Sequence, residues 1–201
     1  MRSLVQEMRK ELTGTSVPFI AFGAALNLAL GQIITLLKLP LYLDLVGTVL
    51  VAIIVGPWAG VLSGVVAAVI GGLYLNPYLP YYIPTVATVG LLSGFMASKG
   101  FFKTWPKTVF AGLLQGFIAA AVSAPITTYL FGGITLAGTS FVVAYIRSTG
   151  QTLLKSVFFA GLAAEPIDKG LTYILARLIA GRVPASLMVY YPRARYLERE
   201  K

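Results

Sequence analysis

Several polar side chains that could hold a small ligand stand at the ends of long apolar segments. The first is Asp44, in the stretch LPLYLDLVGT at residues 39–48. A carboxylate near membrane depth is costly unless it is paired or hydrated, so Asp44 is a candidate for ligand binding. The alternative is a helix N-cap, because Asp accepts hydrogen bonds from the N–H groups of a first helical turn. The sequence is compatible with both roles.

Tyrosines and prolines alternate in a second candidate segment, NPYLPYYIP at residues 76–84. Interfacial tyrosines often form only an aromatic belt. Three tyrosines within five residues, separated by proline, also suit a stiff lid that stacks on a flat ligand. The candidate binding residues here are Asn76, Tyr78, Tyr81 and Tyr82.

A third cluster contains Glu165, Asp168 and Lys169. One interpretation is local: Asp168 caps a helix, and Lys169 pairs with Glu165 at the i, i+4 spacing of a helix face. The other is that the cluster binds a polar ligand. We favour binding, because one local pair does not account for all three residues.

The segment 140–164 carries Arg147, Gln151 and Lys155 at i, i+4 and i+8, which places them on one stripe of a helix. We expect this helix to lie at the outer side of a bundle or to dip into it, with the stripe facing inward. Arg147 and Gln151 are therefore candidate ligand-binding residues. Together with Lys155, they would suit a ligand with a carboxylate, a phosphate or several carbonyls.

The elements that must position these residues are predicted to be membrane helices. The sequence is 57% hydrophobic and 11% charged, whereas a soluble domain has about 25% charged residues. Six crossings are expected in an all-α integral membrane bundle, at 17–37, 45–55, 59–75, 83–97, 108–130 and 166–179. The second is short, so its helix should begin within LPLYL. The chain is thus predicted to consist of an amphipathic arm at 1–16, the bundle at 17–184 and a basic tail at 185–201.

The distribution of basic residues predicts the orientation. Of the 16 Lys and Arg residues, 12 fall in three places: residues 2–10, 99–107 and 177–201. Because Lys and Arg accumulate on the cytoplasmic side, both termini are expected in the cytoplasm. The same rule explains the net charge of +9, so we expect no nucleic-acid partner.

Ala21, Ala25 and Ala29 are spaced four residues apart on the first predicted span. Small residues at this spacing allow two helix backbones to approach closely in lipid. Such a ridge serves either packing inside the bundle or docking of an external partner.

These features together resemble the substrate-binding S component of an energy-coupling factor (ECF) vitamin transporter. The resemblance rests on the alanine ridge, on LPLYLDLVGTVLVAIIVGPWAGVLSG at 39–64, and on EPIDKGLTYILARLIAGRVP at 165–184. It covers about residues 17–184. It implies that a vitamin or related micronutrient binds at the outer face, under the loops after spans 1 and 3. Tyr42, in the LP-x-YLD segment, joins the candidate binding residues on this basis.

The resemblance also implies partners and a place. The alanine ridge would dock onto a transmembrane T component driven by two cytoplasmic ATPases, and the bundle would topple in a prokaryotic cell membrane. The chain has no G-x-x-x-x-G-K-[ST] phosphate loop, so ATP hydrolysis is expected from the partners. No cofactor is expected. Riboflavin, pyridoxine-like or pyrimidine precursors, pantothenate and a corrinoid all remain possible substrates.

Two other functional classes compete with this interpretation. A membrane-embedded enzyme is disfavoured, because such enzymes usually rely on His, Cys, paired carboxylates or metal clusters. The chain contains no His and no Cys. The other class is a non-transporting scaffold or a sensory membrane domain, and a sensor would normally continue into a cytoplasmic output domain. We expect no enzymatic activity.

Overall fold

The computed structural model of the protein describes residues 2–135, 138–188 and 190–191, and within them it is all-α, with no strand. This confirms the all-α part of the predicted fold class. Two short 3-10 turns lie at Gly14–Ser16 and Leu79–Tyr82. The helices are α1 (Arg2–Glu11), α2 (Val17–Leu36), α3 (Val46–Ile54), α4 (Pro57–Tyr74), α5 (Ile83–Ser98), α6 (Trp105–Phe131), α7 (Thr139–Ser148), α8 (Leu153–Ala180) and α9 (Ala185–Met188). Most of the predicted basic tail, residues 192–201, lies outside the described residues.

Four helical segments of the described chain are long and apolar enough to cross a membrane: Gly14–Leu36, Pro57–Tyr74, Leu79–Ser98 and Trp105–Phe131. Large apolar side chains project from the outside of these helices instead of into the bundle. Phe22, Leu73 and Phe110, for example, are all more than half exposed. An apolar exterior of this kind suits a lipid environment.

The second predicted span differs from the structure. Helix α3 has only nine residues, about 14 Å of helix, and all of them are buried between α2, α4, α5 and α8. The expected helical start within LPLYL is wrong, because residues 39–43 are not helical. Pro40 disfavours the helical conformation of the residue before it, and Lys38 and Leu43 have φ values of 51° and 48°.

The segment 140–164 also differs from the prediction. It contains a break, since α7 ends at Ser148 and Gly150 adopts a φ of 89°, which favours glycine. Helix α8 then begins at Leu153 and continues through Pro166, the residue at which the last span was expected to start. A proline inside a helix is tolerated in a membrane bundle when neighbouring helices pack closely around it. Pro166 lies directly against Gly116 of α6.

Helix α3 packs onto α2 by direct backbone contact. A Cβ atom on Gly47 would overlap the carbonyl oxygen of Gly23, so no larger residue fits at this crossing. This contact brings α3 close enough for a side chain of α2 to hydrogen-bond the first turn of α3. The Asn27 Oδ1 atom accepts hydrogen bonds from the N–H groups of Gly47 (2.7 Å) and Thr48 (3.2 Å). Asn27 therefore fixes the start of α3 at the level of the cavity described below.

Gly47→Ala is expected to destabilise the protein by about 3 kcal/mol or more, because the atoms that must move apart belong to two backbones. Gly14→Ala is the matched control, since a Cβ atom there meets nothing within 4 Å. Thermal melting of both variants in detergent measures the difference. If the Gly47→Ala protein has the same melting temperature as the Gly14→Ala control, the close approach of α2 and α3 is disproved.

The described basic residues of α1, of the 99–107 turn and of the end of α8 lie at the end of the bundle where α4 begins and α5 and α8 end. There the Glu11 Oε2 atom accepts a hydrogen bond from the Trp58 N–H group (2.8 Å), which caps α4. Arg177 is 9% exposed, and its guanidinium donates to the carbonyl oxygen of Lys103 (2.8 Å). Arg177 therefore packs inside this end of the bundle.

Candidate functional site

A cavity of about 210 Å³ lies in the opposite half of the bundle. Its walls come from α2 and α4–α8, and from the connections at 37–45, 75–82 and 132–135. Six of the predicted binding residues line it: Tyr42, Asp44, Asn76, Tyr78, Tyr82 and Lys169. Residues up to 127 positions apart in the sequence therefore contribute to one site.

Asp168 positions the connection between α2 and α3. Its Oδ1 atom accepts hydrogen bonds from the backbone N–H groups of Tyr42 and Leu43, both at 2.8 Å. Leu43 has a left-handed backbone conformation, which is uncommon outside glycine and costs about 1–2 kcal/mol. Asp168 is fully buried within α8, so the prediction that it caps a helix is wrong. Asp168 was predicted to bind the ligand, but it does not line the cavity and contacts the lining residue Tyr42 only from behind, at the backbone N–H group and through Lys169.

Lys169 is surrounded by acidic groups. Its Nζ atom bonds the second carboxylate oxygen of Asp168 and lies 3.2 Å from the Glu165 Oε2 atom. The local Glu165–Lys169 pair predicted from the i, i+4 spacing is therefore confirmed. The same Nζ atom lies 5.5 Å from the centre of the Tyr42 ring, within the range of a cation–π interaction.

Asp44 is half-buried at the cavity wall and caps no helix. The N-cap position of α3 is Leu45, which makes no side-chain capping bond, and Asn27 satisfies the first turn instead. The capping alternative for Asp44 is thus wrong. Gly31 of α2 allows its close approach, because a Cβ atom on Gly31 would lie 2.9 Å from the Cβ atom of Asp44.

The hydroxyl of Tyr42 links the connection between α2 and α3 to α7. It lies 3.0 Å from the Thr139 Oγ1 atom, and Thr139 also lines the cavity. A phenol hydroxyl is neutral at physiological pH. Tyr42 therefore presents a ring face and a neutral hydroxyl to the site.

The tyrosines of the 75–82 connection gather around Phe131, at the end of α6. The ring centres of Tyr78, Tyr81 and Tyr82 lie 4.5, 5.4 and 6.0 Å from that of Phe131. The Tyr82 hydroxyl lies 2.7 Å from the Thr127 Oγ1 atom. Tyr78 and Tyr82 line the cavity, whereas Tyr81 is 54% exposed and does not. The connection is thus an ordered aromatic wall, held by a phenylalanine that the sequence did not single out.

Two of the predicted ligand contacts lie elsewhere. Arg147 is near the end of α7, Gln151 is in the following turn, and Lys155 is on α8, so the predicted single stripe is wrong. All three residues are exposed and none lines the cavity. The break at Gly150 separates them, and the i, i+4 rule applies only within one continuous helix.

Several lining residues were not predicted as binding residues, among them Asn27, Gln32 and Thr85. A signal was available for the first two, because amides inside an apolar span are costly and need partners. Thr85 carries no such signal, since a hydroxyl is common in membrane helices. Its side chain is 6% exposed, and its Oγ1 atom has no hydrogen-bond partner among the residues that the structure describes.

Ala21, Ala25 and Ala29 are all exposed along one side of α2. The opposite side buries Gly23, Ala24 and Asn27 against the bundle. The alanine ridge is thus not used for packing within the described chain, and its role in docking remains a prediction.

The site combines carboxylates, one ammonium group, neutral hydroxyls and aromatic faces around an enclosed volume. Such groups can hold a small ring-containing molecule by hydrogen bonds, charge and stacking. Comparisons of the chain with protein-family models, with curated proteins and with solved structures found no match.

Proposed function

We propose that the chain is the substrate-binding (S) subunit of an ECF-type importer for a vitamin or related micronutrient. The observation that carries this proposal is the cavity of about 210 Å³, lined by Tyr42, Asp44, Asn76, Tyr78, Tyr82 and Lys169. A mostly apolar pocket with a few convergent polar groups is the usual form of a small-molecule site. Its position beneath three connections suits capture of a solute from one side of a membrane.

The proposed topology has six crossings in a prokaryotic cell membrane. Helix α8, which is about 42 Å long, joins the four apolar segments as a further crossing despite its charged residues. The non-helical residues 39–45 and α3 together make the remaining one, and all nine residues of α3 are buried by their neighbours. Both termini are then cytoplasmic, with the basic end of the bundle inside and the cavity end outside.

The proposed transport cycle uses the exposed alanine ridge of α2. Ala21, Ala25 and Ala29 would allow the backbone of a transmembrane T component to approach closely. Two cytoplasmic ATPases would supply the energy, and toppling of the bundle would present the ligand to the cytoplasm.

Affinity purification tests this proposal. We expect the full chain, tagged and purified in mild detergent from its source cells, to retain one polytopic membrane protein and two ATPases. Addition of ATP should change the amount retained, because the docked state depends on the ATPase cycle. Recovery of the chain without any ATPase, from cells shown to contain such a module, would contradict the proposal and favour the scaffold or sensor interpretation.

A further inference from the structure

The charges around the cavity are unbalanced. Among the described residues, the charged side chains that line it are Asp44, Glu165 and Lys169, and Asp168 is bonded directly to Lys169. Three carboxyl groups thus share one ammonium group. Glu165 and Lys169 are 4% and 2% exposed, so water screens these charges poorly. The site therefore carries an excess of negative charge when its groups are ionised.

Lys169 is already engaged within this cluster. It bonds Asp168 and Glu165, which leaves it poorly placed to bind an anionic ligand. The Asp44 carboxylate, in contrast, accepts a hydrogen bond from its own backbone N–H group, but it forms no ion pair and bonds no other side chain in the part of the chain that the structure describes. A partly buried carboxylate without a directly paired cation is unfavourable unless a ligand or water compensates its charge. The Asp44 side of the cavity can therefore bind a cation.

The remaining lining residues point to a ring-containing ligand with a hydrogen-bonding group. Tyr42, Tyr78 and Tyr82 supply aromatic surface, which attracts both flat rings and organic cations. Thr85 supplies a buried hydroxyl that lacks a partner among the described residues, which is an observation independent of the charges. The volume of about 210 Å³ exceeds the roughly 150 Å³ of a cavity that holds benzene, yet it is small for a corrin macrocycle.

We infer that the cavity binds a small organic cation containing at least one flat ring, with its positive group beside Asp44 and Glu165. The inference rests on the proposed function and narrows its substrate class. It replaces the expectation of a carboxylate or phosphate ligand, which depended on Arg147, Gln151 and Lys155. Those residues are exposed and outside the lining.

The test uses molecules sorted by charge, applied to the full chain in detergent. Small molecules from yeast extract are separated by ion exchange into cationic, neutral and anionic fractions, and each fraction is assayed by thermal shift. A matched series of nearly equal size accompanies them: 1-methylnicotinamide, nicotinamide and nicotinate. We expect the cationic fraction to raise the melting temperature, and 1-methylnicotinamide to exceed the other two members of its series.

The Asp44→Asn variant links this preference to the site. It should weaken binding of the stabilising cation about tenfold or more while the ligand-free protein melts no lower than wild type, because the change removes an uncompensated charge. Lys155→Gln is the control, since Lys155 is an exposed cation outside the lining. The dissociation constant of the cation from this variant should stay within about twofold of the wild-type value.

Each contrary outcome has a separate meaning. Stabilisation by the anionic or the neutral fraction alone would overturn the ligand class and leave the proposed function in place. An Asp44→Asn protein that binds the cation as well as wild type, or that is destabilised without ligand, would also overturn the ligand class. If no fraction stabilises the folded wild-type protein, both the ligand class and the proposed function are overturned.

Discussion

Asp168→Ala is expected to weaken ligand binding about a hundredfold or more and to lower the free energy of unfolding by about 3–5 kcal/mol. The change removes the acceptor for the Tyr42 and Leu43 N–H groups, so the connection between α2 and α3 loses its attachment to α8. It also leaves the buried Lys169 with Glu165 alone. Thermal melting and binding titration in detergent measure the two effects.

Asp168→Asn separates the two contributions. The amide keeps an oxygen that can accept from the backbone N–H groups, but it cannot neutralise Lys169. We expect a stability between those of wild type and Asp168→Ala. If Asp168→Ala has the melting temperature of wild type and binds the ligand as tightly, the bonds to Asp168 do not hold the connection in place.

Ala25→Leu is expected to reduce cellular uptake about tenfold or more and to leave the ligand dissociation constant within about twofold of wild type. Ala25 is exposed in the middle of the alanine ridge, on the side of α2 that faces away from the cavity residue Asn27. A leucine there would keep a partner helix from close approach without touching the ligand. Uptake of the stabilising molecule in whole cells, together with binding by the purified protein, measures the separation.

Ala121→Leu is the matched control for this prediction. It makes the same change at an exposed alanine on α6, away from the ridge. We expect normal uptake from this variant at equal expression. Normal uptake by Ala25→Leu would show that the ridge is not the docking surface. A similar loss in both variants would point to a general effect of bulk on the lipid-facing surface.

The sequence predicted the parts of the molecule that depend on local composition and on short-range spacing. Long apolar segments predicted α2, α4, α5 and α6, and the i, i+4 spacing predicted the pair of Glu165 and Lys169. Six of ten predicted binding residues line one cavity. The predictions of the helices and of the ion pair succeeded because apolar composition and pairing along one helix leave a direct trace in the order of residues. The role of the lining residues in binding stays a prediction.

The parts that the sequence did not predict depend on contacts between distant segments. The bonds from Asp168 reach Tyr42 and Leu43, 126 and 125 residues away, and no local pattern indicates that pairing. The nine-residue α3 begins where Asn27 of another helix satisfies its first turn, so its start is set by tertiary structure. Pro166 was predicted to begin a helix, and packing against Gly116 allows it inside one instead.

Equilibrium dialysis measures whether the protein itself captures a small molecule. Purified full-length protein in detergent is dialysed against a small-molecule extract of its source cells, beside empty micelles and the Asp168→Ala variant, and each compartment is analysed by mass spectrometry. The account predicts that the wild-type compartment alone enriches a ring-containing cation, near one molecule per chain. Enrichment of nothing beyond the empty micelles would contradict it.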